Sequence, residues 1–211
     1  MDGTRRLSRI VSRTEVKTMP PQTAILGWGS LLWEGGAEFD RWHDDWRYDD
    51  PSLKLEFSRV STSRLGALTL VVDPQHGAAT TVAWCLSKRK DPDDAVADLR
   101  CREGCAVRYV GRLNLPATPG HLPKLEGAAD IATWAATRKL DVVIWTALES
   151  NFESEVKKPF TVQEATAYLK RLPAPAKVKA AEYIWRAPEF VRTSLRKADE
   201  KEPWFPEADA G

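Results

Sequence analysis

Two short stretches of this sequence carry residue types that could do acyl chemistry together. The first is Gly27-Trp28-Gly29-Ser30-Leu31, directly after the apolar run Thr23-Ala24-Ile25-Leu26. Glycines allow backbone conformations that a side chain forbids, and they let a ligand approach the chain. Successive backbone N–H groups in such a turn form a nest for a carboxylate or a polarised acyl oxygen. The competing reading is a plain tight turn. No third glycine at dinucleotide spacing and no Gly-Lys-Ser/Thr follow, so neither a nucleotide fingerprint nor a Walker loop is present. The second stretch ends at Glu103. Ala95, Val96 and Leu99 are the apolar residues of a helix expected over Pro92–Glu103, and Glu103 falls four after Leu99 and seven after Val96. Asp93, Asp94, Asp98 and Arg102 fall largely on other faces. A carboxylate on the inward face loses hydration, which raises its pKa toward the range of a general base near neutral pH. The alternative is a Glu103 turned to solvent or paired with Arg100 or Arg108.

Other candidates are weaker. Gly29-Ser30-Leu31 lacks the later glycine of a hydrolase elbow. His43, His76 and His121 have no obvious partners and read as surface histidines. Glu34, Glu56, Glu126 and Glu149 compete as carboxylates, with Glu149 the best of them because it follows a strand. Cys85 lies in an apolar run. Cys101 and Cys105 would share a helix face if the helix persists that far, but the spacing does not suit zinc, so free thiols are expected.

The elements needed to position these residues are legible. Buried or alternating strands are expected at Thr23–Leu26, Leu53–Ser61, Leu65–Val72, Thr80–Leu86, Val107–Leu113 and Val142–Leu148. Leu53, Leu55, Phe57 and Arg59 would share one face. Several strands follow one another without room for helical crossovers, so antiparallel pairing is expected. Asp91-Pro92 has the grammar of a helix start, and Gly104 of its end. Thr161-Val-Gln-Glu164 is a capping box. Further helices are expected near Asp130–Arg138 and over Ala176–Lys197, interrupted near Pro188. The sum is α+β: a mixed, mainly antiparallel curved sheet or small β-barrel with flanking helices.

Composition narrows the function classes. A net charge of +1 over 211 residues gives no global field toward nucleic acid or anionic membrane. No apolar run reaches the ~20 residues of a membrane span, and the polar, arginine-containing start lacks a secretory pattern. The expectation is a cytoplasmic protein, monomer or homodimer, with residues 1–21 a flexible extension, 22–197 one domain and 198–211 a tail that Trp204 and Phe205 could dock. Nine tryptophans serve either as core or as the wall of a cavity.

Taken in order, these pieces resemble the γ-glutamylcyclotransferase-like superfamily, including its ChaC-type branch. Ile25 to Trp33 is similar to the family's opening strand and Tyr-Gly-Ser-Leu loop. Phe57 to Ser61, Leu68 to Pro74 and Val82-Ala83-Trp84 are similar to its next strands. Leu99-Arg100-Cys101-Arg102-Glu103-Gly104 resembles the helix end that carries its catalytic glutamate, and Val142 to Asn151 its late strand and asparagine turn. The likeness spans about residues 23 to 175. It implies that Glu103 is the catalytic base and acid, and that Gly27, Trp28, Gly29, Ser30 and Leu31 bind substrate. The substrate would be a small γ-glutamyl compound, cyclised to 5-oxoproline without metal or cofactor. Trp28 departs from the family's tyrosine, and Leu113 to Leu140 is longer than usual. Two other readings share the features: a non-catalytic metabolite-binding module, and an interaction protein using exposed tryptophans.

Overall fold

The computed structural model describes residues 19–116, 122–202 and 205. The strands are β1 (Thr23–Gly27), β2 (Ser52–Ser61), β3 (Ala67–Val72), β4 (Ala78–Thr81), β5 (Ala83–Leu86), β6 (Val110–Asn114) and β7 (Val142–Thr146). The helices are α1 (Ala37–Asp40), α2 (Pro92–Glu103), α3 (Ala128–Ala136), α4 (Phe152–Val156), α5 (Val162–Arg171), α6 (Ala174–Arg186) and α7 (Ser194–Asp199). The class is α+β, as expected. The strands form two open sheets, in the orders β5-β1-β7-β6 and β3-β2-β4, so the barrel alternative does not hold among the described residues. β1 runs parallel to β7, while the other strand pairs are antiparallel.

The run expected as one strand, Thr80–Leu86, is divided at Val82. Its first part pairs with β2 and its second with β1, so the chain steps from one sheet to the other. The Val82 N–H donates to the Pro51 carbonyl at 2.8 Å and holds the corner. Alternation along a strand cannot reveal that its partner changes halfway, because the side-chain period of two continues through the corner.

The central sheet is buried on both faces. Ala24 and Leu26 of β1 and Val143 and Trp145 of β7 face a core shared with the second sheet and α3, α5 and α6. Ile25, Val142 and Ile144 face a smaller core closed by Phe39 of α1 and by Ala95 and Leu99 of α2. That two-sided burial explains why β1 and β7 read as unbroken apolar runs. Leu53, Leu55 and Phe57 of β2 are buried together as expected, and Arg59 is half-buried beyond a register shift that follows Glu56.

Burial continues past the expected boundary at 198. Asp199 is fully buried, and Phe205 packs on Trp185 with ring centroids 5.2 Å apart. Arg196, 3% exposed, gathers the carbonyls of Ala187, Pro188 and Val191 and fixes the interruption at Pro188. Trp204, His121 and the first eighteen residues lie outside the described part. No helix among the described residues is long and apolar enough to cross a membrane.

Candidate active site

The last turn of α2 sets the position of Glu103. Asp91 caps the helix start by accepting from the Asp93 N–H at 2.9 Å. At the other end Gly104 takes φ +58°. Its N–H reaches the Cys101 carbonyl and the Cys105 N–H reaches the Arg100 carbonyl, each at 3.2 Å. This is a Schellman closure, which a left-handed residue makes possible. It ends the helix at Glu103, so Cys105 lies past the helix and does not share a face with Cys101. With Ala95 and Leu99 buried against β1 and β7, Glu103 is carried inward, its side chain 17% exposed.

Glu103 shares a cavity of about 190 Å³ with Trp28 and Ser30 of the turn. Arg59, Ser61, Arg64 and Thr69 from the second sheet's edge complete the wall with Glu34, Arg102 and Tyr183. That volume lies well below the roughly 300–1,000 Å³ of drug-sized sites and suits a ligand of amino-acid size. Glu103 Oε1 is buried and accepts no hydrogen bond. Arg102 lies 3.8 Å away, a charge contact too long for a hydrogen bond. Burial is the largest influence on the Glu103 carboxyl and pushes its pKa above the ordinary value. Arg102 opposes that shift, Glu34 adds to it, and Arg64 opposes it.

The turn itself is a single 3-10 turn over Gly29–Leu32, entered from an extended Trp28. The first N–H groups of such a turn have no partner within it. The two glycines are required by the protein's own side chains. A Cβ on Gly27 would lie 2.7 Å from the Trp46 ring, and one on Gly29 would lie 2.4 Å from the Tyr183 hydroxyl. Gly29 also has φ +63°. The expected close approach of a ligand to these two α-carbons is therefore corrected: indole and phenol fill those places. Of the five turn residues, Trp28 and Ser30 line the cavity. Gly27 and Gly29 are buried behind it, and the Leu31 side chain belongs to the smaller core.

Three features escaped the sequence reading. Arg102 points inward, against expectation, and donates to the carbonyls of Ser30 (3.1 Å) and Glu34, tying the end of α2 to the turn. Tyr183 of α6 brings a fully buried hydroxyl to the backbone N–H groups of Leu70 and Ser30, and burial pushes its pKa up to about 12. A hydroxyl thus reaches the turn from a distant helix. Arg64 pairs with Glu34 at 2.6 Å and lies over the Tyr183 ring, 4.8 Å from its centroid. Helical spacing places Tyr183 on the buried face of α6, but no local pattern says which loop it meets.

The rival carboxylates separate clearly. Glu56 is fully buried and accepts from the N–H groups of Phe57 (2.8 Å), Ser194 (3.1 Å) and Leu195 (3.4 Å), so it caps the start of α7. Glu149 and Glu126 line a larger cleft of about 460 Å³ with Asp73, His76 and Glu153. That cleft has no lysine or arginine in its wall and is ill-suited to an anion. His76 does have a partner there, Asp73, at 3.2 Å. His43 is buried, not superficial, between Phe39 and Trp46. Asn151 pins β7's exit to β2, accepting from the Val60 N–H at 2.7 Å and donating to its carbonyl. None of the described residues of the long Leu113–Leu140 stretch lines the Glu103 cavity. No group of three or more histidines, cysteines or acids that could hold a metal ion is found among the described residues. No protein-family model matches this chain, and no curated protein matches it.

Proposed function

We propose that this protein cyclises a γ-glutamyl group to 5-oxoproline and releases an amine or amino acid, with Glu103 as base and then acid. One observation carries the reading: an inward carboxylate with an oxygen that accepts no hydrogen bond shares an amino-acid-sized cavity with Trp28 and Ser30 of the turn. A γ-glutamyl group carries its own nucleophile, the α-amine. Glu103 removes a proton from the α-ammonium, and the burial that raises its pKa makes it a stronger base for that transfer. The free amine attacks the γ-carbonyl carbon and closes a five-membered ring. The developing oxyanion turns toward Ser30, the polar residue with which the turn lines the cavity. The carbon–nitrogen bond to the leaving group then breaks as Glu103 returns its proton to the departing nitrogen; the ring nitrogen gives up its second proton to become the neutral lactam N–H, and the released amine leaves protonated. Holding amine and carbonyl in one molecule supplies roughly 7 kcal/mol or more of the barrier reduction, so little other machinery is required.

The interaction-protein reading has no comparable support, since each described tryptophan is buried or half-buried. A binding module without turnover fits the same cavity, and turnover separates the two. The test is 5-oxoproline release from a panel of γ-glutamyl amines, amino acids and peptides. Release from at least one member supports the cyclisation reading. Binding across the panel with no release from any member selects the binding module.

A further inference from the structure

Three arginines line the Glu103 cavity, and their partners differ in kind. Arg102 spends one guanidinium nitrogen on the carbonyls of Ser30 and Glu34. Arg59 donates to the Glu149 carbonyl at 2.7 Å. Arg64 alone among them holds a carboxylate in a hydrogen bond, that of Glu34 at 2.6 Å. Its guanidinium lies over the Tyr183 ring, a contact that fixes the plane of the fork. Tyr183 is in turn set by the turn backbone, so Arg64 and the turn share one support.

We propose that Arg64 is the anchor for the substrate's α-carboxylate, and that Glu34 holds its place as an internal competitor until substrate binds. The inference rests on reading the cavity as a γ-glutamyl site. The Glu34 backbone is fixed, its N–H donating to the Ser30 carbonyl at 2.8 Å and its carbonyl accepting from Arg102. Its side chain is 37% exposed, and that of Arg64 is 25% exposed. Ion pairs at such exposure are worth little, so a ligand carboxylate can displace Glu34 at small cost. A carboxylate meeting the guanidinium fork in two hydrogen bonds gains more than the surface pair it replaces. With both carboxylates ionised the three arginines leave this wall at a net +1, which favours an anionic ligand. The assignment divides the substrate among three anchors: carboxylate on Arg64, amine on Glu103, acyl oxygen on the turn.

The test uses 5-oxoproline and 5-oxoprolinamide, which differ only in carboxylate against carboxamide and cannot turn over further. Their affinities for the full chain and its variants are measured by calorimetry. Arg64→Gln should weaken 5-oxoproline by about 10- to 100-fold and the carboxamide by about threefold or less. Glu34→Gln should tighten 5-oxoproline by about 2- to 10-fold by freeing the fork. Equal weakening of both probes by Arg64→Gln, weaker 5-oxoproline binding by Glu34→Gln, or no binding of either probe to the unaltered chain would overturn the inference. If Arg64→Gln does not fold, the Glu34→Gln result decides alone. Carboxylate discrimination without 5-oxoproline release in the panel assay removes the cyclisation reading and keeps the anchor. Release without discrimination does the reverse.

Discussion

Glu103 and Glu56 are both buried carboxylates whose pKa burial raises, yet their surroundings give them opposite roles. Glu56 is surrounded by donors: three backbone N–H groups consume its oxygens and leave it nothing to offer a ligand. Glu103 keeps one oxygen free of any hydrogen bond and faces a cavity. Burial by itself therefore does not mark a general base. The mark is burial combined with unspent hydrogen-bonding capacity beside space for a ligand. Leaving that capacity unspent costs stability, which Glu56 avoids and Glu103 does not.

The contrast predicts opposite responses to mutation. Glu103→Gln should keep or slightly raise the unfolding free energy, because a buried charge is removed, while activity falls by about 10²- to 10⁴-fold. Glu56→Ala should lower stability by about 1–3 kcal/mol by stranding buried N–H groups, with activity per folded molecule retained. Urea unfolding alongside rate measurements checks both. If both variants lose stability alike, the distinction between them disappears.

Asp199 sharpens the comparison as an intermediate case. One of its oxygens accepts from Thr166 Oγ1 at 2.8 Å and the other is buried without a partner, but no described cavity reaches it. Burial pushes its pKa up to about 7; Thr166 and Lys170 oppose that shift, and Glu202 and Glu56 add to it. The unfolded carboxyl titrates near ~3.9. Between these values the folded chain holds a proton that the unfolded chain has lost. Stability should therefore fall as pH rises from about 4 to about 7, by up to about 4 kcal/mol, and level off above. Asp199→Asn should flatten most of that slope in urea unfolding between pH 5 and pH 8. Glu56 and Glu103, shifted in the same direction, contribute to any remainder.

A further variant disturbs the turn beside the Glu103 cavity. Gly29→Val must adopt a left-handed backbone and displace the Tyr183 hydroxyl, so it should cost ~3 kcal/mol or more in thermal unfolding. A smaller effect is expected from Tyr183→Phe. It removes the oxygen that serves Ser30 and Leu70 and should cost about 1–2 kcal/mol. Trp28→Phe should leave the Ser30 N–H satisfied and disturb turnover less than Tyr183→Phe does.

Much of this arrangement was legible in order along the chain, because its signals are local. Asp91-Pro92 and Gly104 bracket α2, and the three- and four-residue spacing carries Glu103 to the buried face. The capping box at Thr161 appears as written, with Thr161 Oγ1 accepting from the Glu164 N–H at 3.1 Å. What the sequence concealed depends on distant partners. Arg102 looks like a surface residue until the turn carbonyls are placed beside it. Gly27 and Gly29 look ready for a ligand until Trp46 and Tyr183 arrive from 19 and 154 positions away. The strand break at Val82 is invisible because both halves keep the same alternation.

The most direct test of Glu103 as the base is the initial rate of 5-oxoproline release per folded molecule, measured for the unaltered chain, Glu103→Gln and Glu56→Gln. The account predicts release from the unaltered chain and from Glu56→Gln, and a loss of about 10²-fold or more in Glu103→Gln. Equal release from Glu103→Gln and the unaltered chain would contradict it.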